Sequence, residues 1–296
     1  MSRFLFSFRK QGIITPGQPE TPPDPGLSIP SFLPKAVSAF TTDDIGMPIS
    51  IPYTDAGGVI SGPILFEVVG VNHHTSDAYP QTITLMTKNI IRRAAFDAKE
   101  TGPKQSIENI DFIDRPGAGN NRWKCSNIRQ WLNSDAANSW WTANYENNEY
   151  DAAPTSDNVD GTDGAYANAP GFLAGFSNEV IQHLTEITNT TALYTNEGTS
   201  ETTVDKVFLP SITEMFGVTN DGIYEGTHLY LRFPTYEAGG NPSRIKQWNG
   251  KVDYYWLRSP DCKRCQMMRC VTDEGADNWA EAYAGGYGIT PIIVIH

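Results

Sequence analysis

The chain has 296 residues, 39% hydrophobic and 11% aromatic, with a net charge of -12. That is enough apolar material for one large domain or two small ones, and it excludes a disordered protein. The excess of acids argues against nucleic-acid binding, which needs clustered Lys and Arg, and no run approaches the roughly 18 apolar residues of a membrane span.

The first ten residues hold Arg3, Arg9 and Lys10 but no acid, and Phe4, Phe6 and Phe8 recur at period 2, which places three rings on one face of an extended strand. The segment is too short for the apolar core of a signal peptide, so synthesis in the cytosol is expected. Seven prolines fall between Pro16 and Pro34, a density that favours polyproline II over helix or ladder. Together these predict an anchoring strand over 1–10, with Arg3, Phe4, Phe6, Phe8, Arg9 and Lys10 docking on a partner, and a stiff linker over 11–35.

The globular domain is expected over 36–296. Strands are predicted around Ile49–Tyr53, over Pro63–Val71, over Thr82–Met86 and near Lys206–Pro210. Ser126 is a candidate N-cap for a short helix whose apolar residues fall at i, i+3 and i+4, and a second helix is predicted over Phe176–Ile187. Residues 144–170 lose all apolar periodicity and read as a long surface loop, with the irregular region around 134–175. The β-branched run Gly288–Ile295 predicts one final buried strand. Short strands, few helices and long loops give an α+β class.

The segment Tyr254-Tyr255-Trp256-Leu257-Arg258-Ser259-Pro260 sets a guanidinium among aromatics, where an unpaired charge is costly. Glu214 is the first candidate partner of Arg258 and Asp205 the second, which makes Glu214, Trp256 and Arg258 structural residues. Five pieces in order carry a resemblance: Phe66–Gly70 with Asn72-His73, Ser126–Asn133, Val207–Ser211 with Glu214, Tyr255–Pro260, and Gly288–Pro291. Over roughly residues 40–296 they resemble a family of uncharacterised function from phage and bacterial genomes. The resemblance implies a C-type-lectin-like fold, in which N- and C-terminal strands pair and irregular loops form a binding surface. It also implies association with phage tail or other virion proteins.

Chemistry-bearing candidates are few. Cys262, Cys265 and Cys270 with the distant Cys125 supply four thiols for zinc, for one or two disulfides, or for free thiols in a reducing compartment. A redox role for Cys262-x-x-Cys265 is disfavoured outside a βαβ setting. His73 and His74, adjacent at a strand end, are expected to point to opposite faces and to be solvated. Asp157, Asp160 and Asp163 suggest calcium, but their spacing departs from the EF-hand pattern and a solvated acidic loop is the simpler reading. The segment Asp277-Asn278-Trp279-Ala280-Glu281-Ala282-Tyr283, continued to Tyr287, mixes aromatics, amides and acids as sugar recognition requires. Asp277, Asn278, Trp279, Glu281, Tyr283 and Tyr287 are therefore candidate ligand-binding residues. The competing reading packs Trp279, Tyr283 and Tyr287 inward as one strand face.

The sequence is read as a non-enzymatic virion protein of tail, baseplate or capsid, made in the host cytoplasm and forming a homo-oligomer in the particle. Its arm would bind other virion proteins and its domain a bacterial surface glycan or protein, with no nucleic acid and no membrane insertion. A cellular carbohydrate-binding or adhesion module is the alternative, and a metal-dependent or redox enzyme a third class.

Overall fold

The computed structural model describes residues 29–100, 115–143, 151–161, 163–226, 228–235 and 240–296. The anchoring strand expected over 1–10 and most of the proline-rich linker lie outside the described residues. The end of that linker belongs to the domain instead. Pro30, Phe32 and Leu33 are buried, and Ser31 donates from N and Oγ to Glu179, at 2.7 Å each. Two apolar side chains and a charge-assisted pair of bonds are enough to dock a segment that its prolines alone would leave extended.

The first sheet is built from β1 (Pro48–Ile51), β2 (Ile64–Val71), β3 (Ile83–Thr87), β14 (Ile292–Ile295) and β7 (Val207–Phe208), in the order β1-β2-β3-β14-β7. All its pairings are antiparallel. The implied pairing of N- and C-terminal strands is not found among the described residues: β1 pairs with its sequence neighbour β2, whereas β14, buried along its whole length, sits between β3 and β7.

The second sheet contains β4 (Arg92–Arg93), β10 (Tyr255–Pro260), β11 (Met267–Val271), β12 (Asp277–Glu281) and β13 (Gly288–Ile289), ordered β12-β11-β10-β13-β4. The run predicted as one final strand is thus two. Thr290-Pro291 interrupts it, so that Gly288 and Ile289 pair with β4 in one sheet and Ile292 to Ile295 enter the other. A proline has no N–H to give a ladder, and here it marks the crossing between sheets.

Two hairpins complete the strands: β5 (Ile187–Ala192) with β6 (Ser200–Asp205), and β8 (Lys246–Trp248) with β9 (Lys251–Asp253). Helices are short: α1 (Arg115–Ala118), α2 (Asn127–Leu132), α3 (Asn178–Gln182) and α4 (Ile212–Phe216). The content is therefore mixed α+β with strands predominating. In α2 the Ser126 hydroxyl accepts from Arg129 N at 3.3 Å, and Ile128, Trp131 and Leu132 face the core. The helix predicted over Phe176–Ile187 stops at Gln182. Ile187, Asn189 and Thr191 are buried on one side of β5, and β-branched residues at that alternation pair with β6.

The region around 134–175 is not simply surface. Trp140, Ala152, Val159, Tyr166 and Phe172 are buried, and the indole of Trp131 donates to the Pro170 carbonyl at 2.8 Å. Aromatic rings at irregular spacing carry no periodic signal, yet they pack as well as a helix face does. Trp140 stacks on Tyr166 with ring centroids 5.4 Å apart.

Candidate functional site

β10 is central in its sheet and all six of its residues are buried. Trp256 packs its ring on Tyr287, centroids 4.3 Å apart, and donates from Nε1 to the Ala94 carbonyl at 2.8 Å. Two residues on, within the stretch where β10 shifts register against β11, Arg258 meets Glu214 on α4. Nη1 bonds Oε2 at 2.6 Å and Nη2 bonds Oε1 at 2.8 Å, with neither side chain exposed. Glu214 is also the third residue of a capping box, its Oε2 accepting from Ser211 N at 2.9 Å while the Ser211 hydroxyl accepts from Glu214 N at 3.2 Å. Burial alone would raise the Glu214 pKa, but the Arg258 charge and its hydrogen bonds outweigh it and hold the carboxyl below its usual value. Asp205 is taken elsewhere: Arg129 Nε at 2.6 Å and Trp123 Nε1 at 3.0 Å.

Ser259 and Pro260 carry this frame outward. Ser259 Oγ accepts from Ile212 N at 2.9 Å and donates to Glu225, whose other oxygen accepts from Ala192 N at 2.7 Å. Burial raises the Glu225 pKa, against the Ser259 and Ala192 bonds. The Pro260 carbonyl accepts from the buried Asn220 side chain at 2.9 Å, and Asn220 Oδ1 accepts in turn from Arg269 Nε at 3.2 Å. Arg269 lies partly exposed, so these hydrogen bonds and the Ser259-Pro260 peptide link together join the buried frame to an open cleft.

That cleft, about 480 Å³, lies between the β10–β11 turn and the edge strand β12, with Asn220, Asp261, Lys263, Arg264, Arg269 and Trp279 among its lining residues. The register of β11 on β12 sets Arg269 directly opposite Trp279. Trp279 is 47% exposed, and the Arg264 guanidinium lies over its ring at 4.9 Å. Arg264 is held by Asp261 from the same turn, Nε to Oδ2 at 2.7 Å, and Arg269 by Asp277, Nη1 to Oδ2 at 2.8 Å. Burial raises the Asp277 pKa, opposed by Arg269. The result is a flat aromatic face ringed by fixed charges and amides.

The other residues of the segment do not converge there. Asn278 turns its Oδ1 back to Trp279 N at 2.9 Å, Glu281 is exposed at the end of β12, Lys99 lies over the Tyr283 ring at 4.2 Å, and Tyr287 covers Trp256. The single inward face expected for Trp279, Tyr283 and Tyr287 does not form, because the strand ends at Glu281 and the chain turns before Tyr283. Arg264, Arg269, Asp261 and Asn220 were not singled out from the sequence; the Arg264-to-Asp261 spacing of three across a turn was the available signal.

His73 and His74 are not solvated. Each is 7% exposed, their rings 4.7 Å apart. Gly70 makes this possible, since a Cβ there would lie 2.8 Å from the Cβ of His73. His74 Nε2 is 3.1 Å from the Tyr230 hydroxyl, and the ring of His73 lies 4.0 Å from that of the exposed His228. Burial lowers the pKa of His73 to about 3 and of His74 to about 4.

The four cysteines form no disulfide. Cys270 faces inward opposite Trp256, Cys262 and Cys265 lie in the β10–β11 turn, and Cys125 precedes α2; all are buried. Among the described residues no group of three or more His, Cys, Asp or Glu is arranged to hold a metal, and Asp157, Asp160 and Asp163 are separately exposed. No helix among the described residues is long and apolar enough to cross a membrane.

No curated protein and no solved structure matches the chain. Four of the five pieces that carry the resemblance, all but Phe66–His73, fall within residues 82–296, which match the family described as Domain of unknown function (DUF6273), and the chain belongs to that family.

Proposed function

We propose that the protein is a non-enzymatic binding domain whose Trp279 cleft docks on a bacterial surface glycan. The observation that carries this reading is the exposure of Trp279. Trp123, Trp131, Trp140 and Trp256 are all buried, whereas Trp279 offers its ring on an edge strand at the mouth of a cleft with fixed donors and acceptors. A pyranose ring needs an apolar face to stack on and neighbouring groups to bond its hydroxyls. The buried titratable groups Glu214, Arg258 and Glu225 are bonded to one another or to main chain and Ser259, which suits a structural role better than proton transfer.

The carrier of this domain is, on our reading, a phage particle. It rests on the resemblance of the ordered pieces to a C-type-lectin-like virion family and on the basic, aromatic first ten residues, a composition suited to anchoring on another virion protein. Deleting residues 1–28 and measuring incorporation into particles tests the anchor; undiminished incorporation removes it. For the cleft, the test is retention of the purified protein on cell-wall polysaccharide. Trp279→Ala should weaken retention roughly tenfold or more, and equal retention by wild type and variant would overturn the assignment.

A further inference from the structure

The two arginines of β4 have unlike surroundings. Arg93 pairs with Asp253, its Nε 2.7 Å from Oδ2. Arg92 is 6% exposed, with its guanidinium 5.6 Å from the ring centroid of Trp131 and 5.5 Å from that of Tyr166. Its one hydrogen bond runs from Nη2 to the Ala165 carbonyl at 3.1 Å, and its Nε is enclosed with no acceptor. Among the described residues no carboxylate pairs with it. Asp55, the nearer candidate, spends its oxygens on the amides of Gly57, Val59 and Ile60, and Asp163 is turned to Arg93 at 3.9 Å. The aromatic faces offset part of the cost of burying this charge, but they are a weaker partner than an anion. Burial lowers the Arg92 pKa, as expected of a charge short of a partner.

Arg92 forms one wall of a cavity of about 320 Å³ between the 57–59 turn and residues 154–169. The cavity falls in the range of small-molecule sites, roughly 300–1,000 Å³. Thr155, Ser156 and Asn168 also line it, and among the described residues their side chains make no hydrogen bonds, leaving two hydroxyls and an amide for a ligand. A guanidinium without a carboxylate, set beside unused hydroxyl and amide groups, suits a ligand that carries both an oxyanion and hydroxyls.

We propose that this cavity is a second binding site, for an anionic group, carboxylate or phosphate, borne on a hydroxylated compound of the size of an acidic sugar or a polyol phosphate, with Arg92 as its counter-charge. It shares no lining residue with the Trp279 cleft, so the two assignments stand or fall separately.

The test is calorimetric titration of the full chain with glucuronate, glycerol phosphate and neutral glucose at constant ionic strength. One or both anions should bind and raise the melting temperature, and glucose should do neither. Binding of glucuronate alone assigns a carboxylate, of glycerol phosphate alone a phosphate, and equal binding of both assigns the oxyanion itself. Arg92→Met should weaken the anion roughly tenfold or more. Because it removes a charge with no carboxylate partner, it should leave the ligand-free melting temperature unchanged or higher, where a purely structural arginine would lower it. Should that variant fail to fold, a double variant, Thr155→Ala with Asn168→Ala, decides: full affinity in it overturns the site. So does the absence of binding by either anion, equal binding of glucose, or undiminished binding by a folded Arg92→Met.

Discussion

Arg258 and Glu214 form an enclosed two-point ion pair, 2.6 and 2.8 Å, in which the carboxylate also closes the capping box of α4. Arg258 further donates to the Leu209 carbonyl at 2.7 Å, so one side chain ties β10 to the chain between β7 and α4. Replacing Arg258 by Ala leaves Glu214 buried without its cation and should cost about 3–5 kcal/mol. Urea unfolding measures this; a loss below about 1 kcal/mol would show that the pair does not brace the fold.

Gly226 lies against this pair. Its φ is +100°, in the region that favours glycine, and an added Cβ would overlap Glu214 Oε1 and lie 3.2 Å from Arg258 Nη2. Gly226→Ala should therefore lower stability by roughly 1–3 kcal/mol, through backbone strain and displacement of the carboxylate together. In the Arg258→Ala background, where the pair is already broken, the penalty should shrink; a thermal-melt double-mutant cycle reads that coupling.

How far the sequence speaks for itself differs between these regions. Phe66, Val68 and the Ile292–Ile295 run announce strands because they are apolar and β-branched, and Ser126 announces a cap because its side chain competes for backbone donors. β5 carries no apolar alternation because the polar residues Asn189 and Thr191 occupy its buried face; Asn189 donates to Asp205 at 3.0 Å, whereas the Thr191 hydroxyl is enclosed without a partner. The burial of His73 and His74 depends on Gly70 and on Tyr230, the latter more than 150 residues away in the chain. Trp279 was legible as a candidate, but Arg264 and Arg269 join it through strand register and a turn, information that no local pattern contains.

The histidine pair makes stability depend on pH. In the unfolded chain both titrate near 6.5, whereas in the fold burial holds His73 near 3 and His74 near 4, with Glu214 opposing the shift and Arg258 and His228 reinforcing it. Between those values the unfolded state binds the extra protons, so stability falls as pH drops below about 6.5 and levels off below the folded values. Fully expressed, the shifts correspond to about 5 kcal/mol for His73 and about 3 kcal/mol for His74. Glu225 and Asp97, raised by burial, act in the opposite sense. Urea unfolding between about pH 7 and pH 5 should therefore show a shallower slope for His73→Phe than for wild type. Identical slopes would mean that His73 takes up its proton in the fold as readily as in the unfolded chain.

The thiols should be inert in the native state. Burial pushes Cys262 up to about 12 and Cys270 higher still, with the Glu225 and Asp221 charges adding to the first and Asp277 to the second. The thiolate is the reactive form, so at neutral pH both should react with a disulfide reagent only as the protein unfolds. All four cysteines should titrate in denaturant without prior reduction, and a chelator should leave the melting temperature unchanged. A melting temperature that falls with chelator would restore a metal to these residues.

Trp279 and Arg264 allow the cleft to be followed spectroscopically. A sugar that stacks on the exposed indole competes with the Arg264 guanidinium 4.9 Å above it, and drives water from the ring. Ligand should therefore shift tryptophan emission to shorter wavelength in wild type and not in Trp279→Phe, whose remaining tryptophans are buried or half-buried and do not line the cleft. Arg264→Ala removes the competitor but also frees Asp261. If stacking is the main contact, affinity in that variant should hold or improve; if the guanidinium itself binds the ligand, it should fall. Because Trp279 is 47% exposed and the Arg264 side chain 41%, neither substitution should lower stability by more than about 1 kcal/mol, so a change in binding is read without a change in fold.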